Sequence, residues 1–157
     1  MTERDQTSIA VVVPTLGTRP EFLAECLASI RAAGRCRIVL VRPSSSTIDP
    51  SAAALVDAQI DDPGNGLASA INAGMASLPS TIRYATWLGD DDRLTLDSLE
   101  IARAAIERNS AALVFGGCRY IDAGGQELWL NASGRWAVPL MRCGPQLVPQ
   151  PGSLFDR

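Results

Sequence analysis

The sequence predicts an α/β fold in which a mostly parallel sheet is flanked by helices. Residues 9–13, 38–41 and 84–88 are apolar throughout or nearly so. Continuous apolar segments of this length are typical of strands that are buried on both faces. Helical patterns separate these segments, and this alternation favours parallel strands joined by right-handed crossovers.

The remaining elements follow in chain order. Thr18, Pro20 and Glu21 predict a helix start with a capping box, and Gly34 ends that helix. We expect further helices at residues 51–56, 67–78, 97–109 and 136–141, and further strands at residues 58–60, 112–115 and 127–130. Residues 121–125 predict the turn before the last of these strands.

Composition limits the possible functions. The chain has 157 residues, a net charge of −3, a hydrophobic fraction of 46% and no histidine. These values predict one globular domain without the basic face that nucleic-acid binding needs. The absence of histidine excludes a Ser-His-Asp triad and a His-ligated zinc within this chain.

Location is predicted from what the sequence lacks. Its apolar segments are too short for a transmembrane segment, and its start has no signal-peptide pattern. The four cysteines are scattered, which indicates reduced thiols rather than a disulfide framework. We therefore expect a cytoplasmic protein, with peripheral association with the inner face of the membrane as an alternative.

Three aspartates, Asp90, Asp91 and Asp92, come directly after the predicted strand at residues 84–88. Ligands of parallel α/β sheets bind beyond the carboxyl ends of the strands. Adjacent carboxylates raise one another's pKa unless a cation neutralises them, and magnesium at a nucleotide is usually held by one or two carboxylates. The alternative is a solvated acidic turn before a helix.

A second unusual segment, at residues 64–74, is rich in glycine and other small residues. Glycine inside a helix costs about 1 kcal/mol relative to alanine, so its presence there needs a reason. Close packing of the helix on the sheet is the simpler explanation, and close approach to a ligand is the alternative.

These segments together resemble the family 2 glycosyltransferases. The resemblance is carried by Val-Val-Val-Pro-Thr at residues 11–15, by the small-residue segment, and by Trp-Leu-Gly-Asp-Asp-Asp at residues 87–92. Residues 120–125 and Gln-Pro-Gly-Ser-Leu-Phe at residues 150–155 resemble later motifs of that family. The resemblance implies a GT-A fold, a Rossmann-like architecture, with residues 1–157 forming the nucleotide-sugar-binding portion of a single domain.

The resemblance also implies a function. It predicts transfer of a sugar, usually with inversion, from a nucleoside diphosphate sugar donor to an unknown glycan or lipid-linked acceptor. Mn²⁺ or Mg²⁺ is the expected cofactor, with Asp91 as its main ligand and Asp92 beside it. The residues expected to bind the nucleotide sugar are Pro14, Thr15, Arg42, Asn65, Gly66, Asn72 and Asp90.

Three departures from the family pattern leave alternatives open. Arg42 and Pro43 stand where the family usually has an aspartate that meets the base, residues 70–72 read Ala-Ile-Asn where the family often has Ala-Arg-Asn, and Gly89 aligns with the first aspartate of the metal motif. The family's general base is expected beyond Arg157. A truncated or degenerate nucleotide-binding module without turnover is therefore one alternative. The Gly-Thr-Arg sequence at residues 17–19 keeps a sugar-phosphate nucleotidyltransferase as another.

Overall fold

The computed structural model describes residues 7–134, 136–140, 143–144 and 147–157. Over these residues the strands are β1 (Ile9–Pro14), β2 (Arg37–Arg42), β3 (Ala58–Asp61), β4 (Tyr84–Trp87), β5 (Leu113–Val114), β6 (Cys118–Ile121), β7 (Glu127–Asn131) and β8 (Leu154–Asp156). The helices are α1 (Pro20–Ala33), α2 (Pro50–Ala53), α3 (Leu67–Ala76), α4 (Ser98–Asn109) and α5 (Ala137–Leu140).

The main sheet has six strands in the order β3-β2-β1-β4-β8-β5. The pairs β3–β2, β2–β1 and β1–β4 are parallel, whereas β8 runs antiparallel to both β4 and β5. The predicted mostly parallel sheet is therefore confirmed. Strand β8 was not predicted, because three residues are too few to show a period. Strands β6 and β7 form a separate antiparallel pair.

The central strand β1 is buried along its whole length. Its side chains alternate between two apolar clusters, because successive residues of a strand point to opposite faces. Val11 and Val13 pack with buried residues of α1, such as Leu27, and Ala10 and Val12 lie in the cluster on the α3 face. This two-sided burial accounts for the continuous apolar sequence of β1.

Gly74 explains part of the small-residue segment. It is buried in α3, and a Cβ added to it would lie 2.4 Å from Val12 Cγ1 and 2.9 Å from Val41 Cγ2. Any side chain at this position would therefore separate the helix from β1 and β2. The packing explanation holds for this glycine.

Two details of the helices differ from the predictions. Helix α1 begins at Pro20 with Arg19 at the N-cap and no side-chain hydrogen bond at the cap, so the predicted capping box of Thr18 and Glu21 is wrong. The short helix predicted at residues 136–141 is α5, and Met141 lies outside the described residues. Within the described part of the chain, no helix is long and apolar enough to cross a bilayer.

Candidate functional site

Thr15 and Asp90 meet at the carboxyl edge of the sheet, just after β1 and β4. The Thr15 amide donates to Val41 O at 2.9 Å, which holds this residue beside β2. The Thr15 hydroxyl donates to Asp90 Oδ2 at 2.6 Å and accepts from the Gly17 amide at 2.9 Å. Both side chains are buried. The parallel register of β1 and β4 thus brings together two residues that are 75 positions apart in the chain.

Arg19 bridges two of the three aspartates. Its guanidinium contacts Asp90 Oδ1 at 2.5 Å through one nitrogen and Asp91 Oδ2 at 2.6 Å through the other. The hydrogen bond to Asp91 and the charge of Asp90 raise the pKa of Arg19 above its usual value. Arg19 was not among the predicted site residues, and it supplies a cation in direct contact with two of the three aspartates.

The turn that presents Arg19 depends on Gly17. This residue has a φ of +74°, in the region that L side chains rarely adopt, and a Cβ on it would lie 2.9 Å from Ser46 Cβ. Ser46 belongs to the loop after β2. The position of Arg19 therefore depends on close contact between the loops that follow β1 and β2.

Arg42 stabilises the loop after β2 through hydrogen bonds. Its guanidinium donates to Ser46 O at 2.7 Å and to Gln59 Oε1 at 2.8 Å, and also reaches Pro43 O. These contacts hold the loop against Gly17. Arg42 lies at the predicted edge of the sheet, and in this structure its side chain is engaged with protein groups.

Asp91 and Asp92 converge on Gly89. A Cβ built on Gly89 would lie 3.1 Å from Asp91 Oδ1 and 3.1 Å from Asp92 Oδ2, so the two carboxylates flank the same small space. Burial, followed by the charges of Asp91 and Asp90, raises the pKa of Asp92 above its usual value. A cation between these oxygens would relieve this repulsion.

This pair of carboxylates fits a Mn²⁺ or Mg²⁺ ion that takes its other ligands from water and phosphate. Among the described residues, no group of three or more histidine, cysteine, aspartate or glutamate side chains is arranged to hold a metal. Asp91 and Asp92 are the residues that could hold such an ion.

The predicted residues of the small-residue segment belong to α3 and to the turn before it. Gly66 is the N-cap of α3, has a φ of +88°, and has open space where a Cβ would be. Asn65 and Asn72 are exposed. Over the described residues, no side-chain hydrogen bond joins them to Asp90, Asp91 or Asp92. The remaining predicted residue, Pro14, is the buried last residue of β1.

A cleft of about 610 Å³ opens beside Asp91 and Asp92. Its walls come from the start of α4, from the segment around β5 and β6, and from Pro151 and Gly152. Gln150 Nε2 donates to Trp87 O, which ties the Gln-Pro segment to the end of β4. Asp91 and Asp92 therefore line a cavity large enough for a sugar.

Residues 10–149 match the family model described as Glycosyl transferase family 2. This match covers most of the chain. The chain belongs to glycosyl transferase family 2. No curated protein sequence matches the chain.

Solved structures share the fold with this family 2 chain. S. aureus TarS 1–349 has a TM-score of 0.55 and 17% identity, over 69% of this chain and 35% of the TarS chain. 4-Diphosphocytidyl-2C-methyl-D-erythritol synthase from Anaerococcus prevotii DSM 20548 has a TM-score of 0.57 and 10% identity, over 97% of this chain and 71% of its own. At these identities the likeness concerns the fold, and the predicted GT-A-type α/β fold is confirmed.

Proposed function

We propose that this chain is the donor-binding portion of a glycosyltransferase and binds a nucleoside diphosphate sugar with Mn²⁺ or Mg²⁺ at Asp91 and Asp92. The observation that carries the proposal is the convergence of these two carboxylates at Gly89, at the carboxyl end of β4. Membership of glycosyl transferase family 2 supports the same assignment.

The residues around the cluster have separate roles in this proposal. The edge formed by Pro14 and Thr15 lies along the nucleoside, and the cleft beside Asp92 receives the sugar. A bound divalent cation would neutralise and orient the leaving diphosphate as a Lewis acid and template. Both Asp90 oxygens already have protein partners, so Asp90 acts by holding Thr15 and Arg19 in place.

Transfer also needs an acceptor, an unknown glycan or lipid-linked molecule, and a general base. Proton transfer to a positioned base typically contributes about 10²–10⁴-fold to the rate. A carboxylate that coordinates a metal is a poor base, so Asp91 and Asp92 do not fill this role. We propose that the chain binds donor, and that turnover depends on a carboxylate outside this cluster.

Calorimetry tests the binding site. Mn²⁺ is titrated into the protein with uridine, thymidine, guanosine or cytidine diphosphate present, using wild type, Asp91→Asn, Asp92→Asn and the control Asp61→Asn. Asp61 is exposed at the end of β3 and carries the same charge. We expect Asp91→Asn to weaken Mn²⁺ binding by at least about tenfold, since even residues that only support metal ligands contribute about 10–100-fold. Equal affinities in wild type and Asp91→Asn would contradict the proposal.

Activity assays separate the alternative functions. Sugar nucleotides with mixed acceptors test transfer, and a nucleoside triphosphate with a sugar phosphate tests nucleotidyl transfer by release of pyrophosphate. The second reaction is included because the fold also resembles that of a diphosphocytidyl-methylerythritol synthase. Donor binding without either reaction indicates a binding module. Release of pyrophosphate would replace the glycosyltransferase proposal.

A further inference from the structure

Arg19 contacts Oδ2 of Asp91, whereas the other oxygen of that carboxylate, Oδ1, faces Gly89. Its two contacts, 2.5 Å to Asp90 and 2.6 Å to Asp91, use both terminal nitrogens of one guanidinium. Asp90 is buried, whereas Asp91 and Arg19 are both about half exposed. The contact with Asp90 is therefore the protected one, and the contact with Asp91 is open to exchange with solvent and solutes.

The guanidinium and a divalent cation compete for the same charge. An arginine on a carboxylate lowers the gain from placing a second cation there, and the two cations also repel each other at short range. Exposed ion pairs contribute little to stability, so breaking the ion pair between Arg19 and Asp91 costs little free energy. The Asp90 contact is more costly to break, because the Asp90 carboxylate is buried and would lose its counter-ion.

We propose that Arg19 is a built-in counter-ion that a divalent cation displaces from Asp91, while the ion pair between Arg19 and Asp90 remains. This inference rests on the proposed metal site and adds a residue that controls it. In the free protein, Arg19 neutralises the cluster. When the metal arrives with a diphosphate, the released guanidinium nitrogen finds a new acceptor in the phosphate oxygens, which are good partners for arginine.

This exchange makes metal and nucleotide binding cooperative. A metal ion alone offers no new partner to the guanidinium nitrogen that leaves Asp91, so the metal ion alone binds weakly. The diphosphate supplies both phosphate ligands for the metal and an acceptor for Arg19. By linkage, the metal strengthens nucleotide binding by the same factor as the nucleotide strengthens metal binding.

The test compares Mn²⁺ affinities with and without uridine diphosphate, measured by calorimetry and by the loss of the free Mn²⁺ electron paramagnetic resonance signal. The variants are Arg19→Gln, Arg19→Lys and the control Arg108→Gln, which removes the same charge from the last turn of α4. Lysine keeps the charge but lacks the planar fork that contacts two carboxylates at once. If Arg19→Gln does not fold, Arg19→Lys provides the comparison with wild type instead.

We expect Arg19→Gln to bind Mn²⁺ alone about tenfold more tightly than wild type, given the size of close charge–charge effects near a protein surface. The enhancement by uridine diphosphate should shrink in this variant. Arg19→Lys should lie between the two, and Arg108→Gln should match wild type. A purely structural ion pair would leave the Mn²⁺ affinity of Arg19→Gln equal to or weaker than that of wild type, and that result would overturn the inference.

The two proposals fail in different measurements. The proposed function fails if Asp91→Asn and wild type bind Mn²⁺ equally in the presence of the diphosphate. The role of Arg19 fails if its replacement does not tighten the binding of Mn²⁺ alone. Each comparison is made against wild type under one condition, so a failure of the Arg19 proposal can be distinguished from a failure of the metal site.

Discussion

Replacing Thr15 by valine tests the contact at the centre of the site. Valine keeps the branched shape of threonine and removes the hydroxyl that donates to Asp90 and accepts from the Gly17 amide. Hydrogen bonds to charged groups contribute about 1.5–3 kcal/mol. Because Asp90 is buried, the lost bond is not replaced by water. We expect the free energy of unfolding to fall by about 2 kcal/mol.

Urea denaturation measures this change as a midpoint lower by roughly 1 M, for a slope of about 2 kcal/mol/M. Thr15→Ser keeps the hydroxyl and should cost about 0.8 kcal/mol, the value of one buried methyl group. In an Asp90→Asn background the acceptor is neutral, so Thr15→Val should cost about half as much. A Thr15→Val midpoint within experimental error of wild type would refute the contact. An equal cost in both backgrounds would refute the charge dependence.

Two further predictions concern parts of the fold outside the cluster. Gly74→Ala should lower the free energy of unfolding by about 1–2 kcal/mol, since the clash with Val12 outweighs the roughly 1 kcal/mol gain in helix propensity. In a Val12→Ala background, which makes room for the new methyl group, thermal unfolding should show a smaller loss of stability. Equal losses in both backgrounds would contradict the clash. The second prediction is a pH effect, because the hydrogen bond from Arg83 lowers the pKa of Asp156. The stabilisation from this pair is present above the unfolded pKa, 3.8, and is lost as the pH falls through the folded value. The melting temperature of Asp156→Asn should therefore lie below that of wild type at pH 7 and approach it in acid, while a constant gap would contradict this. Asp61→Asn serves as the charge-matched control.

The sequence was sufficient to predict the core of the sheet. Strands such as β1 and β2 are buried on both faces, so apolar runs mark them directly. Strand β8 is different, because residues 154–156 form a strand only by pairing with β4 and β5. That pairing depends on tertiary contacts that no local pattern reports.

The site was predictable where it follows from strand ends. Thr15 and Asp90 follow the carboxyl ends of the neighbouring parallel strands β1 and β4, so the rule that ligands bind beyond those ends predicts that they lie together. Arg19 lies beyond the strand, and its direction depends on the turn at Gly17 and on the loop that Arg42 braces. Because Arg19 precedes Pro20, the sequence suggested a helix start at this position, and the charge of Arg19 was not interpreted as part of the site. A lone arginine in the loop after β1, opposite three aspartates, was the available signal.

The antiparallel strand β8 has a consequence for synthesis of the chain. Asp156 pairs with Tyr84 and contacts Arg83, 73 positions earlier. At about 5–20 residues per second, a ribosome takes roughly 4–15 s to make that stretch. During that interval the outer edge of β4 has no partner, and β5 has no strand through which to join the sheet. Until residues 154–156 emerge, the free edge of β4 in one nascent chain can therefore pair with a strand of another chain that is being made on the same messenger RNA.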